Sequence, residues 1–342
     1  MDLSKKQTIR LEEKDEYLHP IEAHPNFNES MYINCFDPQQ KMGGWFRVGN
    51  RPNEGHAEMS VCIYLPDGSV GFMFQRPELN HNKELNAAGL KFEVITPFKH
   101  LRVTYSGTIC LLKNPSDMNN PKQAFLNNPM LPCQVSIDFT GISPMFGGEA
   151  VDDNGNPIEE NPEEAFARAH YEQHMAAEGS IQIGDAKWNI NAFGLRDHSW
   201  GPRYWQNLYW YRWLPMNFGR DFAMNISIVT MRTGNQYIWG MVLEDGKYEL
   251  VETSALTTIY DLTDTPVGWK AIVKTAKKEY EVNAKVLSQI PLRNRRQRPD
   301  GTPLNTRIIE GFTEMYCNGM VGYGMSEYLD QIENNKIVGR AC

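Results

Sequence analysis

Residues 180–194 read SIQIGDAKWNINAFG, two short runs of alternating apolar and polar residues joined by the turn sequence GDAK at 184–187. This alternation is typical of two antiparallel β-strands with one buried face, because successive side chains point to opposite faces of a sheet. Similar runs recur along the chain, separated by turn sequences such as LPDGS (65–69), RTGNQ (232–236) and EDGK (244–247). The pattern predicts an all-β protein built from antiparallel hairpins.

Two groups of strand-like runs flank residues 146–164, an acidic segment rich in Gly, Asn and Pro that has the composition of a loop. Residues 162–177 begin with Pro after an Asn, carry acids in the first turn and are followed by a Gly, which predicts one interdomain helix. Many short strands favour closed barrels, since closure removes exposed sheet edges. We therefore expect an N-terminal β-barrel domain of residues 1–160 and a C-terminal one of residues 161–342.

The overall composition excludes several classes of protein. The formal net charge of −8 opposes binding to phosphate backbones, so we expect no nucleic-acid partner. No apolar segment is long enough for a membrane span and no signal-like run opens the chain, which predicts a cytoplasmic protein. The six cysteines form no CxxC pair, and the glycine motifs of nucleotide sites are absent. We therefore expect neither a metal nor a cofactor.

Residues 194–213, GLRDHSWGPRYWQNLYWYRW, combine ionisable side chains with seven large aromatic residues. His198 gives or takes a proton most readily near neutral pH, and Arg196 or Asp197 can tune it. In an extended strand Arg196 and Asp197 point to opposite faces, so only one of them shares the surroundings of His198. A histidine that holds a strand end by hydrogen bonds to the backbone explains the motif equally well.

The strand that follows predicts an aromatic wall. Alternation places Tyr209, Tyr211 and Trp213 on one face, and two phenol hydroxyls on one face indicate a ligand or internal water. Packing against buried hydrogen-bond partners is an equally good interpretation. Aromatic faces also stabilise cationic intermediates, which acid-triggered chemistry on an alkene or tertiary alcohol requires.

Two other segments supply carboxylates. Residues 170–174, HYEQH, contain Tyr171 and Glu172 on the predicted helix, and the two histidines lack a third metal ligand. Residues 322–328, GYGMSEY, place Glu327 alone in an aromatic strand, where burial would raise its pKa and make it an acid. A salt bridge from Glu327 to an arginine is the commoner arrangement.

The ordered combination of HYEQ (170–173), the 180–194 hairpin, RDHSWGPR (196–203) and GYGMSEY (322–328) resembles the AttH-like family. This family includes the carotenoid 1,2-hydratases, also called hydroxyneurosporene synthases, and is similar in fold to fungal Diels–Alderases. The resemblance implies two lipocalin-like antiparallel β-barrels side by side, a ligand cavity in or between them, and no cofactor.

The resemblance also implies roles for particular residues. The His-x-Trp pair of the hydratases corresponds to His198 and Trp200. Their Tyr-x-Asp pair has no match, because residues 223–225 read Ala-Met-Asn and the closest acid is Asp221. The fold and the cavity can be shared without the reaction.

The leading hypothesis is a cofactor-independent enzyme, a lyase or an isomerase or cyclase, that hydrates, dehydrates, isomerises or cyclises a terpenoid, steroid-like or polyketide substrate. His198 would be the acid or base, with Glu327 or Glu172 as a second carboxyl group. The substrate-binding residues would be Trp200, Tyr209, Tyr211, Trp213, Tyr171 and Arg196. A non-catalytic lipocalin-like carrier of a hydrophobic metabolite is the alternative, and a structural role is a third. The sequence leaves a monomer and a homodimer open.

Overall fold

The computed structural model describes residues 8–158, 167–297 and 301–340, which fold into two antiparallel β-sheets. The first sheet contains β1 (Thr8–Arg10), β2 (Phe27–Asp37), β3 (Met42–Arg51), β4 (His56–Tyr64), β5 (Val70–Gln75), β6 (Asn86–Ala87), β7 (Leu90–Thr96), β8 (His100–Leu112), β9 (Met130–Gly141), β10 (Phe146–Val151), β11 (Ala169–Ile183) and β12 (Ala186–Pro202). The second contains β13 (Leu208–Asn217), β14 (Phe222–Met231), β15 (Gln236–Glu244), β16 (Lys247–Tyr260), β17 (Pro266–Thr275), β18 (Glu279–Gln297), β19 (Pro303–Cys317), β20 (Met320–Glu333) and β21 (Lys336–Ile337). The all-β prediction is confirmed.

Both sheets close into barrels. In the first sheet the hydrogen-bonded order runs β11, β12, β2, β3, β4, β5, β8, β9 and returns from β9 to β11. In the second sheet β13 to β20 pair in chain order, and β13 also pairs with β20. Closure leaves the strands of each ring without a free edge, and it confirms the two side-by-side barrels expected from the sequence.

The predicted interdomain helix at 162–177 is wrong where the structure describes it. Residues 169–177 belong to β11, which pairs with β12 along its whole length and with β9 along its second half. Residues 159–166 lie outside the described part of the chain. Intrinsic helix preference amounts to less than about 1 kcal/mol per residue, and hydrogen bonds on both edges of β11 together with burial of Met175 and Ala177 outweigh it.

Helical structure among the described residues is limited to short segments. They are the α-helix α1 (Pro121–Asn127) and the 3₁₀ helices Glu13–Glu16, Pro52–Glu54 and Pro115–Asn119. No helix in these ranges is long and apolar enough to cross a membrane.

The chain passes from the first sheet to the second between Pro202 and Leu208. Residues 169–202 therefore hydrogen-bond within the first sheet, although the sequence predicts them in the C-terminal domain. The RDHSWG motif lies on β12. The division into domains at residue 160 remains a prediction about how the chain folds.

Three of the five apolar clusters found among the described residues fill the barrels and the space between them. One fills the first barrel and one fills the second. The third lies between the barrels and is rich in aromatic residues from both sheets; in it, the rings of Phe36 and Phe312 stack with their centroids 5.0 Å apart. This shared cluster packs the two barrels face to face, so side chains on the facing strands of both sheets meet in the interior.

Candidate functional site

The two faces of β12 separate the residues that the sequence singled out. In the pairing of β11 with β12, Tyr171 lies opposite His198 and Glu172 lies opposite Asp197, with no break in register. Directly paired residues share a face of the sheet. Tyr171 and His198 point to the same side as Met175, inside the first barrel. Glu172 and Asp197 point to the other side, toward the second barrel.

The inward face carries what we call the first-barrel cluster, which comprises Glu16, His19, Glu29, Tyr171, Arg196, His198 and Trp200. Arg196 is fully buried and forms a two-pronged ion pair with Glu16, in which its Nη2 donates to Oε2 over 2.9 Å and its Nη1 bonds Oε1. Its Nε donates to the side chain of Gln173 over 3.0 Å. Every nitrogen of this buried guanidinium group therefore has a partner of suitable geometry.

His198 is fully buried within the first-barrel cluster. Its Nε2 lies 3.0 Å from Oε1 of Glu29, and its Nδ1 lies 3.3 Å from the hydroxyl of Tyr171. Burial raises the pKa of Glu29, but hydrogen bonds from His19 and His198 outweigh it and bring this pKa to about 2. The ring of Trp200 stacks on His19 with centroids 4.0 Å apart. Tyr171, Arg196, His198 and Trp200 are thus together, in a network whose charges are paired.

The outward face of the first sheet meets the second barrel in what we call the inter-barrel cluster. Across β11, β12, β2 and β3, the directly paired residues are Glu172, Asp197, Tyr32 and Arg47. Across β13, β20 and β19, the directly paired residues are Trp213, Glu327 and Glu310. Each row runs perpendicular to its strands, and the two rows face each other between the barrels.

Glu172 joins the two rows. Its Oε1 accepts a hydrogen bond from Nε1 of Trp213 and its Oε2 accepts one from Nδ2 of Asn225, both over 2.7 Å. The ring of Trp213 also meets Tyr32 edge-on, with centroids 5.3 Å apart. Burial raises the pKa of Glu172 to about 7, and the negative charge of Asp197 adds to this effect. Asn225 belongs to the 223–225 segment where the family resemblance lacked its acid.

Two more carboxyl groups of the inter-barrel cluster, Glu327 and Glu310, are buried without a paired cation among the residues that the structure describes. Burial, with a smaller contribution from Asp197, raises the pKa of Glu327 to about 8, and Arg47 and Arg203 offset it only in part. The hydroxyl of Tyr211 donates to Oε1 of Glu327. Burial likewise raises the pKa of Glu310 to about 8, and its Oε2 has no hydrogen-bond partner among the described residues. At neutral pH both groups are largely protonated.

The structure does not bring Tyr209 to this cluster. The pairing of β13 with β14 shifts register between Leu208 and Trp210, so the alternation expected from the sequence is broken there. The ring of Tyr209 lies against Gly339, and the guanidinium of Arg232 lies 5.2 Å from its centroid. Tyr211 and Trp213, which follow the irregularity, do reach the inter-barrel cluster.

Sequence reasoning missed Glu310, Tyr32, Arg47 and Glu29. Each of them pairs directly with a residue of its own sheet that belongs to one of the two clusters. Strand register is therefore the information that would have identified these four residues. A single sequence does not give the register between strands that are far apart in the chain. His198 and the pair of Glu172 and Glu327, which the sequence placed in one site, lie on opposite sides of the first sheet.

Within residues 8–158, 167–297 and 301–340, two groups of side chains have the spacing of metal ligands. Potential ligand atoms of His19, Glu29 and His198 lie within 4.8 Å of one another, as do those of His170, Glu172 and Asp197. In the first group, the histidines already form hydrogen bonds with Glu29. In the second, both oxygens of Glu172 accept hydrogen bonds from neutral donors. The first group, and Glu172 in the second, are thus held in place by interactions among protein side chains.

The sequence matches the model of one known protein family. Residues 12–332 match the family described as a domain of unknown function, DUF7064. The chain belongs to the DUF7064 family. No curated protein sequence matches this DUF7064 chain.

Solved structures share the fold of this DUF7064 protein at low sequence identity. CghA with Sch210972 has 10% identity and a TM-score of 0.55, covering 90% of this chain and 89% of CghA. A protein of Nitrosomonas europaea assigned to AttH has 12% identity and a TM-score of 0.56, covering 90% and 93%. Kievitone hydratase from Nectria haematococca has 9% identity and a TM-score of 0.54, covering 88% of each chain. These likenesses confirm the AttH-like fold that the sequence motifs indicated.

Proposed function

We propose that this DUF7064 protein is an enzyme that binds an apolar small molecule between its two barrels and moves protons on it without a cofactor. Glu327 serves as the acid and Glu172 as its partner. The observation that carries the proposal is the pair of buried carboxyl groups beside Trp213, with pKa values of about 8 and about 7. Burial of an uncompensated carboxyl group reduces stability, so such groups are typical of functional sites.

The arrangement suits acid-triggered addition and elimination. A general acid works best when its pKa lies near the working pH, because it is then protonated yet gives up its proton readily. Glu327 protonates one carbon of a double bond, and the cation that forms faces the rings of Trp213 and Tyr32. Glu172 accepts the proton released when water adds to that cation, or when a neighbouring carbon loses a proton. The first outcome is hydration and the second is isomerisation; the reverse of hydration is dehydration.

The comparisons support this proposal in general terms. One structural relative is named as a hydratase, and another was solved with a bound small molecule. Sharing a fold does not transfer a reaction, so the proposed chemistry rests on Glu327 and Glu172 rather than on the relatives. A terpenoid, steroid-like or polyketide substrate, cofactor independence, a cytoplasmic location and a homodimer remain predictions from the sequence.

The test is proton exchange with solvent. The protein is incubated in D₂O with a panel of terpenoid, steroid and polyketide alkenes and tertiary alcohols, and the products are examined by mass spectrometry. We expect at least one compound to gain deuterium or the mass of water, and the rate to fall about a hundredfold or more in Glu327→Gln.

Glu314→Gln is the matched control. Glu314 lies on β19 and, like Glu327, accepts a hydrogen bond from a tyrosine hydroxyl, here that of Tyr323 over 2.8 Å. Hydrogen bonding from Tyr316 lowers the pKa of Glu314, so it is no acid at neutral pH. Compounds that bind and are recovered unchanged would identify a carrier instead. Full activity in Glu327→Gln would remove the proposed acid.

A further inference from the structure

In the first-barrel cluster, three side chains from separate parts of the chain converge on one point. His19 lies in residues 17–26, which form no helix or strand, Glu29 lies on β2 and His198 lies on β12. Nδ1 of His19 is 2.8 Å from Oε1 of Glu29, and Nε2 of His198 is 3.0 Å from the same oxygen. One nitrogen of each ring and one carboxylate oxygen therefore meet at close range.

The other oxygen of Glu29 is held separately. Oε2 accepts hydrogen bonds from the backbone N–H of His19 over 2.8 Å and from Nδ2 of Asn82 over 2.5 Å. These two bonds fix the carboxylate so that Oε1 faces the two rings. The side chain of Glu29 is fully buried, so bulk water does not compete for Oε1.

The outer nitrogen of each ring faces an acceptor, which is typical of metal-binding histidines. Nε2 of His19 lies 3.4 Å from Oδ1 of Asp15. Nδ1 of His198 lies 3.3 Å from the hydroxyl of Tyr171, which donates its one hydrogen to Oε1 of Glu16 over 3.2 Å. A histidine whose outer nitrogen donates a hydrogen bond is fixed in the tautomer that offers its inner nitrogen as a ligand.

Two imidazole nitrogens and a carboxylate oxygen favour one class of ion. Zinc and related transition metals accept such ligands, whereas calcium and magnesium prefer oxygen alone. Zinc binds nitrogen and oxygen at about 2.0–2.2 Å, so its ligand atoms stand about 3.3 Å apart in a tetrahedron. The three atoms in question lie within 4.8 Å of one another. An ion would take the place of the hydrogens between the rings and Oε1 after small side-chain movements, and it needs no separate cavity.

We infer that His19, Glu29 and His198 bind a divalent transition metal ion, with zinc as the expected ion and water as its fourth ligand. The ring of His19 is 20% exposed, which gives the ion and its water access from solvent. The ion would tie residues 17–26 to β2 and β12 at the end of the first barrel. Its role is therefore structural, on the opposite face of the first sheet from the proposed proton chemistry.

This site differs from the expectation of no metal that the scattered cysteines supported. Its ligands are two histidines and a glutamate that are far apart in the sequence, and only the closed barrel brings them together. The inference does not depend on the proposed function, because Glu327 and Glu172 lie between the barrels.

The experiment is a calorimetric zinc titration of the whole protein at neutral pH, after treatment with EDTA and removal of the chelator. We expect one zinc ion to bind per chain. Added zinc should also raise the unfolding temperature, because a ligand that binds only the folded state stabilises it. In the EDTA-treated protein Glu29 keeps its hydrogen bonds to both histidines, so the charges of the first-barrel cluster are paired with or without the ion.

Variants locate the ion. His198→Asn and His19→Asn each remove one ligand and should weaken zinc binding about a hundredfold or more, whereas Tyr171→Phe removes only an outer acceptor and should weaken it about tenfold. His170→Asn is the matched control, because His170 belongs to the second group with metal-ligand spacing, on the other face of β11. We expect it to leave zinc affinity unchanged. If His198→Asn does not fold, His19→Asn, whose ring is partly exposed, still decides the question.

Three results would overturn the inference. One is the absence of stoichiometric zinc binding in the unmodified protein. Another is equal zinc affinity in His19→Asn, His198→Asn and the unmodified protein, which would identify an adventitious ion only. The third is loss of binding in His170→Asn alone, which would move the site to the face between the barrels. Turnover that depends on Glu327 is measured separately, so either proposal can fail while the other stands.

Discussion

The first-barrel cluster and the inter-barrel cluster lie on opposite faces of the same two strands, β11 and β12. They differ in whether their buried ionisable groups have partners of opposite charge. In the first-barrel cluster, Arg196 forms an ion pair with Glu16. Glu29 forms hydrogen bonds with two histidines, so the pKa of Glu29 falls to about 2. In the second, Glu172 and Glu327 meet mainly neutral donors, and their pKa values rise to about 7 and 8. The charges of the first-barrel cluster are paired, which suits a structural role. The unpaired acids of the inter-barrel cluster reduce stability and can act as proton donors.

The largest expected effect is on turnover, which a substitution in the inter-barrel cluster should reduce far more than one in the first-barrel cluster. Glu327→Gln removes the transferable proton at nearly constant shape, so turnover should fall about 10²- to 10⁴-fold. His198→Asn, measured below its unfolding temperature, should keep turnover within a few-fold, because His198 faces the interior of the first barrel. Steady-state rates on the substrate found by deuterium exchange provide the measurement. A loss in His198→Asn as large as that in Glu327→Gln would restore the catalytic role first expected for His198.

The effect on stability should be the reverse: a substitution in the first-barrel cluster should destabilise the protein more than one in the inter-barrel cluster. Arg196→Met leaves Glu16 buried without its cation and should reduce the free energy of unfolding by about 3–5 kcal/mol. At pH 4, Glu327→Gln replaces a neutral acid by a neutral amide and should change stability by less than about 1 kcal/mol, whereas at pH 7 it removes a group that ionises on unfolding and should increase stability. Calorimetric unfolding of both variants checks this. Equal destabilisation would show that the inter-barrel acids are also structural.

How far the sequence predicted these features depends on the range of the interaction. Alternation identified the strands, and the density of aromatic residues drew attention to Glu327, Tyr211 and Trp213, which the structure brings together. The helix expected at 162–177 was wrong over its described part because β11 lies between two partner strands, and local preference does not report such partners. Glu310 and Arg47 were missed because they join the cluster through strand register within their own sheets, which pairs Glu310 with Glu327 and Arg47 with Tyr32. The side of the sheet that His198 faces also depended on those long-range pairs.

The pH dependence of stability should have opposite slopes in the two clusters. Glu29 has a pKa that falls from 4.5 to about 2 on folding, so its contribution is present above pH 4.5 and is lost as the pH falls toward 2. Glu327 has a pKa that rises from 4.5 to about 8, so its contribution is present below pH 4.5 and is lost as the pH rises toward 8. Unfolding temperatures of Glu29→Gln and Glu327→Gln, each compared with the unmodified protein across pH, should show these slopes. Slopes of the same sign would contradict the contrast.

The smallest effect concerns the hydrogen bond that joins the two barrels at Glu172. Trp213→Phe keeps an aromatic ring but removes the donor to Oε1, which should raise the pKa of Glu172 further and lower turnover about fivefold. Trp210→Phe is the matched control, because Trp210 is on the same strand and donates its indole N–H to the carbonyl of Gly339 over 2.9 Å. The pH–rate profile should move in Trp213→Phe and stay in place in Trp210→Phe. Equal profiles would show that Trp213 does not tune Glu172.

The central claim, that Glu327 is a buried neutral acid at physiological pH, can be measured without a substrate. The infrared spectrum at pH 7 contains a carbonyl stretch for a protonated carboxyl group and a separate band for a carboxylate. We expect the difference between the unmodified protein and Glu327→Gln to contain the protonated band, and that band to decline as the pH rises through about 8. A difference spectrum that contains only the carboxylate band at pH 7 would contradict the account.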